Sequence, residues 1–161
     1  MRENGKMGFG DKTGKVVIPF QFETVQNFSE GLAAVKIRKK WGYVGTNGTM
    51  IIAPQFDEVS LFKEGMATVQ IAGKWSFIDS NGKIVFLDES DIIPECCAFS
   101  EGLLRVKRDE KIGFIDKSGV VVIKPQFRYA NDFKEGLAAV EVGGKYGFID
   151  KTGKEIIPPK Y

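Results

Sequence analysis

A short motif recurs five times along the chain, and this internal repeat constrains the fold more than any other feature. Each copy begins with a lysine, followed by a ring or an apolar residue, a small residue and an aromatic residue. The five copies are Lys6-Met7-Gly8-Phe9, Lys40-Trp41-Gly42-Tyr43, Lys74-Trp75-Ser76-Phe77, Lys111-Ile112-Gly113-Phe114 and Lys145-Tyr146-Gly147-Phe148. Their lysines are 34, 34, 37 and 34 residues apart. A period of this length predicts a repeat array in which neighbouring copies bury one another's apolar faces.

Two further positions recur within the copies. A glycine follows eight residues after each lysine, and a Phe-x-Glu-Gly segment comes later in each of the first four copies. These segments begin at Phe28, Phe62, Phe99 and Phe133. We therefore predict a single repeat domain over residues 1–161. Its units are 6–39, 40–73, 74–110 and 111–144, followed by a partial unit at 145–161.

Each unit is predicted to contain three short strands and no helix. In the second unit the first strand covers 41–44, and the turn at 45–48 ends in a glycine, which suits a positive φ. The second strand covers 49–53 and is predicted to end at Pro54, because proline lacks a ladder donor. The third strand covers 66–71. No segment of helical length has apolar residues at a spacing of 3.6, so the predicted class is all-β.

A tight turn is predicted to join the third strand of one unit to the first strand of the next. With a two-residue turn at 38–39, the facing pairs are Ile37–Lys40, Lys36–Trp41, Val35–Gly42 and Ala34–Tyr43. Large residues then face small ones, which fills space without overpacking and gives Gly42 a reason to be small. The third strand is apolar on both faces, and such a strand lies between two layers. We therefore expect small sheets that stack on one another.

For the arrangement of the units we predict an open array of three-stranded antiparallel β-meanders. The last half-unit lacks its third strand, and residues 1–5 are too short and too polar to supply it. The alternative is a small closed β-propeller in which one blade has two strands.

The recurring residues resemble those of the WG repeat, also called the KWG repeat, of bacterial proteins. The likeness is carried by Lys40-Trp41-Gly42-Tyr43-Val44, Asn47-Gly48, residues 52–57 and residues 62–69, and it extends from Lys6 to Tyr161. The resemblance implies a β-strand repeat array without catalytic residues, often attached to other domains or exported. The chain departs from the family pattern at several positions. Met7, Ile112 and Tyr146 stand where Trp is usual, Ser76 replaces Gly, and Gly45 replaces Asp.

The composition excludes several kinds of chemistry. The chain has no histidine, which removes Ser-His-Asp and Cys-His catalysis and every His-ligated metal site. Its 23 Lys+Arg against 21 Asp+Glu argue against a dedicated nucleic-acid binder. The glycines are spaced one to a turn and form no phosphate-binding loop. We predict no cofactor, no metal and no enzymatic activity.

The location of the protein stays open from the sequence. No apolar run approaches the ~20 residues of a membrane span, and the first residues lack the apolar stretch of a signal peptide. We therefore expect either a cytoplasmic chain or part of a larger exported protein. Cys96 and Cys97 are adjacent and cannot form a disulfide framework, so they are inert buried residues or a thiol site.

The third unit is irregular, and it supplies most of the candidate site residues. It carries three extra residues between Phe86 and Phe99, in a segment rich in acidic residues. Insertions in repeat proteins map to loops, often on a working face. The candidate binding surface consists of Trp41, Trp75, Arg105, Asp88, Glu89 and Asp91. Arg105 is predicted to face Phe114 and to stack on its ring.

Three functions are compatible with this pattern. The first is a non-enzymatic protein-interaction or scaffold module whose partner is another protein. The second is a cell-envelope or glycan-binding module that uses Trp41 and Trp75. The third is a weak hydrolase at the acidic loop 88–95, whose carboxylates are also possible oxygen ligands for calcium. The recurring lysines and glutamates form a charged strip that recognises an anionic polymer or, as we expect, a set in which each lysine pairs with the glutamate ten residues before it or caps a turn.

Overall fold

A computed structural model describes residues 1–86, 92–95 and 98–160, and its regular elements are β-strands. Sheet 1 contains β1 (Arg2–Glu3), β2 (Lys6–Gly10) and β3 (Val16–Phe22). Sheet 2 contains β4 (Thr24–Val25), β5 (Leu32–Ile37), β6 (Lys40–Gly45) and β7 (Met50–Phe56). Sheet 3 contains β8 (Glu58–Val59), β9 (Met66–Ile71), β10 (Lys74–Asp79) and β11 (Ile84–Phe86). Sheet 4 contains β12 (Ile93–Pro94), β13 (Leu103–Arg108), β14 (Lys111–Asp116) and β15 (Val121–Phe127). Sheet 5 contains β16 (Leu137–Val142), β17 (Lys145–Asp150) and β18 (Glu155–Ile157).

The chain divides into two compact units, Met1–Ile84 and Val85–Tyr161. From here on these are called the first and the second unit, and the predicted sequence units are called repeats. Sheets 1 and 2 and the strands β8–β10 belong to the first unit, and sheets 4 and 5 belong to the second. The predicted all-β class, with small antiparallel sheets in tandem, is confirmed. Across the described ranges none of the sheets closes into a barrel. No helix in the described part of the chain is long and apolar enough to cross a membrane.

The sheets are offset from the repeats read along the sequence. Sheet 2 begins with β4 and β5, which belong to the first predicted repeat (6–39), and continues with the first two strands of the second predicted repeat (40–73). The strand order β4-β5-β6-β7 follows the chain, so the topology is a meander. At the start of the chain β1 supplies a short counterpart of β5, pairing Arg2 with Met7 and Glu3 with Lys6.

The predicted hairpin register is confirmed. The pairs Ile37–Lys40, Lys36–Trp41, Val35–Gly42 and Ala34–Tyr43 all occur between β5 and β6. The two turn residues, Arg38 and Lys39, have φ values of 50° and 66°. Two consecutive positive φ values fit the twist of the flanking strands, which is why two-residue hairpin turns favour them.

The prediction that the second strand ends at Pro54 is wrong. β7 runs through the proline to Phe56, and β15 likewise continues through Pro125 to Phe127. A proline is tolerated here because β7 is the outermost strand of its sheet. The ladder shifts register between the pairs Trp41–Phe56 and Tyr43–Ile52, so the strand bulges where the proline lies.

This bulge, rather than the facing strand β5, explains the glycine after Trp41. A Cβ placed on Gly42 would lie 2.5 Å from the carbonyl oxygen of Ile52 and 2.7 Å from the nitrogen of Pro54. Backbone atoms cannot move aside as the end of a flexible side chain can. Gly113 has the same surroundings, because a Cβ there would lie 2.5 Å from both Ile123 O and Pro125 N.

The sheets within each unit stack through apolar faces, as predicted from β5. Ala33 and Val35 join the core with Ile18 and Phe22 of sheet 1. The alternate residues of β5, Leu32 and Ala34, join a second core with sheet 3. In the second unit, sheets 4 and 5 share a third core. Its members are Leu103, Ile112, Phe114, Ile123, Phe127, Ala130, Phe133, Ala138, Val140 and Ile149.

Candidate interaction surface

An aspartate five residues after the recurring lysine is a turn residue in four of the five copies, at Asp11, Asp79, Asp116 and Asp150. Asp150 Oδ1 accepts hydrogen bonds from the backbone N–H groups of Thr152 (2.9 Å) and Lys154 (3.0 Å) and from the Thr152 hydroxyl (2.6 Å). These bonds stabilise the carboxylate, and the Thr152 hydroxyl is the main cause of a lowered Asp150 pKa. The glycines that close these turns have φ between 82° and 87° at Gly14, Gly48, Gly82, Gly119 and Gly153.

The recurring glutamates connect successive repeats through backbone groups. Glu30 accepts the N–H of Glu64 at 2.7 Å and the N–H of Gly65 at 2.8 Å, one on each carboxylate oxygen. In the second unit, Glu101 accepts the N–H of Gly136 at 3.0 Å. The expectation that each glutamate pairs with the lysine ten residues later is therefore wrong for these two. Each reaches the Glu-Gly turn of the next repeat, because stacking brings equivalent turns side by side.

Glu101 also forms an ion pair with Lys151, whose Nζ lies 3.0 Å from Oε2. The Lys151 ammonium, followed by the Gly136 N–H, lowers the pKa of Glu101. A serine beside the glutamate adds a second link in two repeats. Ser29 Oγ donates to the Phe62 carbonyl at 2.6 Å, and Ser100 Oγ donates to the Phe133 carbonyl at 2.8 Å.

A second carboxylate recurs beside the two-residue hairpin turns, where it accepts backbone N–H groups of the turn. We name this group of N–H donors the turn cradle. Glu23 accepts the N–H of Arg38 on Oε1 (2.8 Å) and the N–H of Lys39 on Oε2 (3.2 Å). In the next repeat, Asp57 accepts the N–H of Ala72 at 2.8 Å and forms an ion pair with Lys40.

The charge state of the cradle follows from these contacts. The Lys40 ammonium is the main cause of the lowered Asp57 pKa, followed by the Ala72 N–H. The Lys39 N–H is the main cause of the lowered Glu23 pKa. The cradle therefore favours an ionised carboxylate at each of these two turns.

Both tryptophans are half-buried in the first unit. Trp41 packs against the core between sheets 2 and 3. The ammonium of Lys36, its partner across the hairpin, lies 5.4 Å from the Trp41 ring centroid. Trp75 faces Gln70 in the same register. Each ring thus contributes to packing and keeps part of its surface in solvent, and their place in a binding surface stays a prediction.

Arg105 lies in the second unit, and its guanidinium is held by its own unit. The side chain is 19% exposed, and Nε donates to Asp132 Oδ1 at 2.6 Å. Nη1 donates to the Ala130 carbonyl at 2.8 Å. Arg105 faces Phe114 in the ladder, as the hairpin pattern predicted.

The other candidate residues are Asp88, Glu89 and Asp91, which lie outside the described residues. The same holds for Cys96 and Cys97, and therefore for most of the acidic loop predicted as a hydrolase or calcium site. Glu95, at the end of that loop, is exposed. Across the residues that are described, no three acidic or cysteine side chains come together in a way that would hold a metal ion.

The sequence comparison agrees with the repeat geometry. The family model of the WG containing repeat matches residues 7–41, 41–75, 112–146 and 146–161. The chain belongs to the WG repeat family. No curated protein matches it. Each match to a whole repeat starts at the residue after one recurring lysine and ends at the residue after the next, so the WG repeat spans two successive sheets of this fold.

The family model does not match the third WG repeat, which carries Ser76 in place of the glycine. Ser76 is fully buried, and its hydroxyl has no hydrogen-bond partner within the described residues. A buried hydroxyl without a partner destabilises the fold.

One recurring surface position lies outside the sequence-predicted site, and we name it the aliphatic column. It consists of Val17 and Ile51 in the first unit, which are 51% and 46% exposed, and of Val122 and Ile156 in the second unit, which are 40% and 47% exposed. Each lies on the outermost strand of its sheet, at a register shift other than the one at the proline; in β7 this shift falls between the pairs Tyr43–Ile52 and Val44–Met50. The signal in the sequence is an aliphatic residue eleven positions after the recurring lysine and directly before an isoleucine, and it occurs after four of the five lysines.

Proposed function

We propose that this WG-repeat chain is a non-enzymatic protein-interaction module, and that it binds its partner through the aliphatic column. The observation that carries the proposal is the exposure of an aliphatic side chain at one fixed position in four repeats. The next residue along the chain, Ile18, Ile52 or Ile123, is buried in the first, second and fourth repeats. The exposed residue is therefore not needed to complete the core between the sheets.

The column is suited to a protein partner because of where it lies. β3, β7, β15 and β18 are the outermost strands of their sheets. Side chains on such strands are accessible to an extended segment of another protein, which can bury apolar groups against them. Scattered exposed aliphatic residues are common, but repetition at one position gives a series of contacts along each unit.

A glycan ligand is less well supported. Sugar rings stack on flat aromatic faces, whereas the column is aliphatic. The two tryptophans are half-buried, and Trp41 carries the Lys36 ammonium near its ring. Because the column does not include Trp41 or Trp75, the two functions make different predictions about which substitutions abolish binding.

Photo-crosslinking tests the proposal directly. A photoreactive amino acid at position 51 is compared with the same residue at position 55, an exposed site on the same strand β7. After irradiation in cell extract, we expect one protein to be crosslinked from position 51 and not from position 55. Equal crosslinking from both positions, or none from position 51, would contradict the proposal.

Substitution of the column provides the matched binding test. Threonine keeps the β-branched shape of Val and Ile but adds a hydroxyl, so the strands are expected to be retained. The variant with Val17, Ile51, Val122 and Ile156 all changed to Thr is expected to lose the crosslinked protein in a pull-down. Val142→Thr is the control, because Val142 is 50% exposed and lies outside the column. Loss of binding in the control as well would show that the column is not the binding surface.

A further inference from the structure

The turn cradle of the fourth repeat lacks its carboxylate. In the first two repeats the residue after Gln-Phe is Glu23 or Asp57, and it accepts N–H groups of the following hairpin turn. In the fourth repeat, Gln126-Phe127 is followed by Arg128. Glu23, Asp57 and Arg128 occupy equivalent positions in the fold. In each case the residue two positions later in the chain pairs with a buried valine of the next strand. Those pairs are Val25–Val35, Val59–Val69 and Ala130–Val140.

The hydrogen-bond donors of this cradle are nevertheless present. The turn consists of Gly143 and Gly144, with φ values of 61° and 80°. The corresponding values are 50° and 66° at Arg38 and Lys39, the turn whose two N–H groups bind Glu23. The backbone therefore directs the two glycine N–H groups in the same way. Within the described residues, neither group has an acceptor.

Positive charge surrounds these donors. An open groove of about 370 Å³ is lined by Lys111, Arg128, Glu141 and the two turn glycines, with Gln126, Phe127 and Val142 completing its wall. Lys111 is the counterpart of Lys40, which pairs with Asp57 in the second repeat. Lys111 and Arg128 are exposed, and they outnumber the one carboxylate, Glu141. None of these three side chains forms an ion pair with another described residue.

We propose that this groove is a binding site for a carboxylate group from outside the chain. Each oxygen of the ligand accepts one N–H, from Gly143 or Gly144, as the two oxygens of Glu23 accept those of Arg38 and Lys39. Lys111 and Arg128 supply the charge that holds the ionised ligand. Successive backbone N–H groups in a turn form an anion-binding concavity, and charge-assisted bonds are stronger than neutral ones. The proposal is independent of the aliphatic column.

A backbone NMR titration of the full chain tests the site. The ¹⁵N–¹H spectrum is recorded with increasing potassium acetate, replaced by potassium chloride at equal ionic strength in the control series. We expect saturable shifts of the Gly143 and Gly144 amides with acetate only. The Ala72 and Gly73 amides are the internal control, because Asp57 already fills that cradle. No saturation at the two glycines, or equal shifts at residues 72 and 73, would overturn the proposal.

Two variants with the same charge change sharpen the test. Arg128→Glu supplies a carboxylate from within the chain, so we expect the acetate affinity at Gly143 and Gly144 to fall at least about tenfold. Lys124→Glu changes the net charge equally at an exposed position of β15 and is expected to keep the response. Equal losses in both variants would mean that acetate responds only to overall charge. Conversely, Asp57→Arg is expected to create an acetate response at Ala72 and Gly73.

The source of the carboxylate is distinguished by three probes at matched ionic strength: acetate, inorganic phosphate and a short end-blocked peptide with one glutamate. Binding of the peptide about tenfold more tightly than acetate, and its loss in the glutamine version, assigns the site to an acidic side chain of a protein. Equal affinities for acetate and peptide assign it to a small carboxylate. A larger response to phosphate than to either would overturn the assignment to a carboxylate.

Discussion

The second and third WG repeats differ at four consecutive positions and yet form the same hairpin. Residues 42–45 are Gly, Tyr, Val and Gly, whereas residues 76–79 are Ser, Phe, Ile and Asp. Both segments pair with the preceding strand over six residues in one register. In both, the aromatic residue and the aliphatic residue after it are buried. The two-residue turn and the pairing of large with small residues across the hairpin therefore specify it, whichever small residue follows the tryptophan.

The difference lies in what surrounds the position after the tryptophan. Gly42 is in a place where a Cβ would meet the backbone of β7. Ser76 has a side chain in the same place and leaves its hydroxyl without a partner among the described residues. The family model matches the second repeat and does not match the third. The residues that identify the family are thus only partly those that hold the hairpin together. Exchanging single residues between the two repeats tests which residues stabilise the hairpin.

Gly42→Ser is expected to have the largest effect, because it places the residue of the third repeat in the second. The new Cβ would lie within 2.7 Å of two backbone atoms of β7. We expect the free energy of unfolding to fall by about 3 kcal/mol, at the upper end for overpacking. Urea unfolding followed by tryptophan fluorescence measures it, since both tryptophans lie in the first unit. Gly42→Ala is expected to lose nearly as much, and a loss below about 1 kcal/mol in both would mean that β7 yields.

Tyr43→Phe exchanges the aromatic residues of the two repeats and removes one buried hydrogen bond. The Tyr43 hydroxyl donates to the Ser60 carbonyl at 2.7 Å, and burial raises the Tyr43 pKa, so the group stays a neutral donor. Without it the carbonyl loses a partner, and we expect a loss of about 1.5 kcal/mol by the same urea measurement. Tyr129→Phe is the control, because that hydroxyl bonds to Asn131 in an exposed position. Since Tyr129 lies in the second unit, which has no tryptophan, the urea unfolding of both variants is also followed by circular dichroism. Equal losses in the two variants would refute the role of burial.

Much of the fold was predictable from the sequence, because its determinants are local. The turn at 38–39 and the pairing of large with small residues between β5 and β6 fix a register that the structure reproduces pair by pair. The path of β7 beyond Pro54 was not predictable in the same way. It depends on a bulge that brings an outer strand against Gly42, which is a contact between strands and not a property of either segment.

The candidate sites were less predictable, for the same physical reason. The sequence pattern pairs Glu30 with a lysine near it in the chain, whereas its partners are 34 and 35 residues away in the next repeat. The open cradle at Arg128 had a readable signal, since Gln-Phe is followed by Glu, Asp and Arg in successive matches. The sequence signal can be interpreted only with the turn geometry, because the structure is what shows that two backbone N–H groups stay without an acceptor when the carboxylate is missing.

Ser76→Ala is expected to stabilise the first unit. The change removes the unpartnered hydroxyl and keeps the Cβ that the third sheet accommodates. We expect a gain of about 1 kcal/mol in the free energy of unfolding, from the desolvation cost of a buried hydroxyl. Ser76→Gly restores the residue of the second repeat and is expected to gain less, because glycine loses more backbone freedom on folding. A larger gain for Gly than for Ala would mean that the Cβ of Ser76 is crowded, as it would be at Gly42.

Gly45→Asp is expected to have the smallest effect, because it adds a carboxylate to a turn in which Asn47 Oδ1 already accepts the N–H of Thr49 at 3.0 Å. Asp79, its counterpart, accepts the N–H groups of Asn81 and Lys83, each at 2.9 Å. A Cβ on Gly45 meets its nearest atom at 3.4 Å, so we expect a gain of about 0.5 kcal/mol near pH 7. Gly45→Ala isolates the backbone effect, and a gain equal to that of the aspartate at every pH would show that the carboxylate contributes nothing.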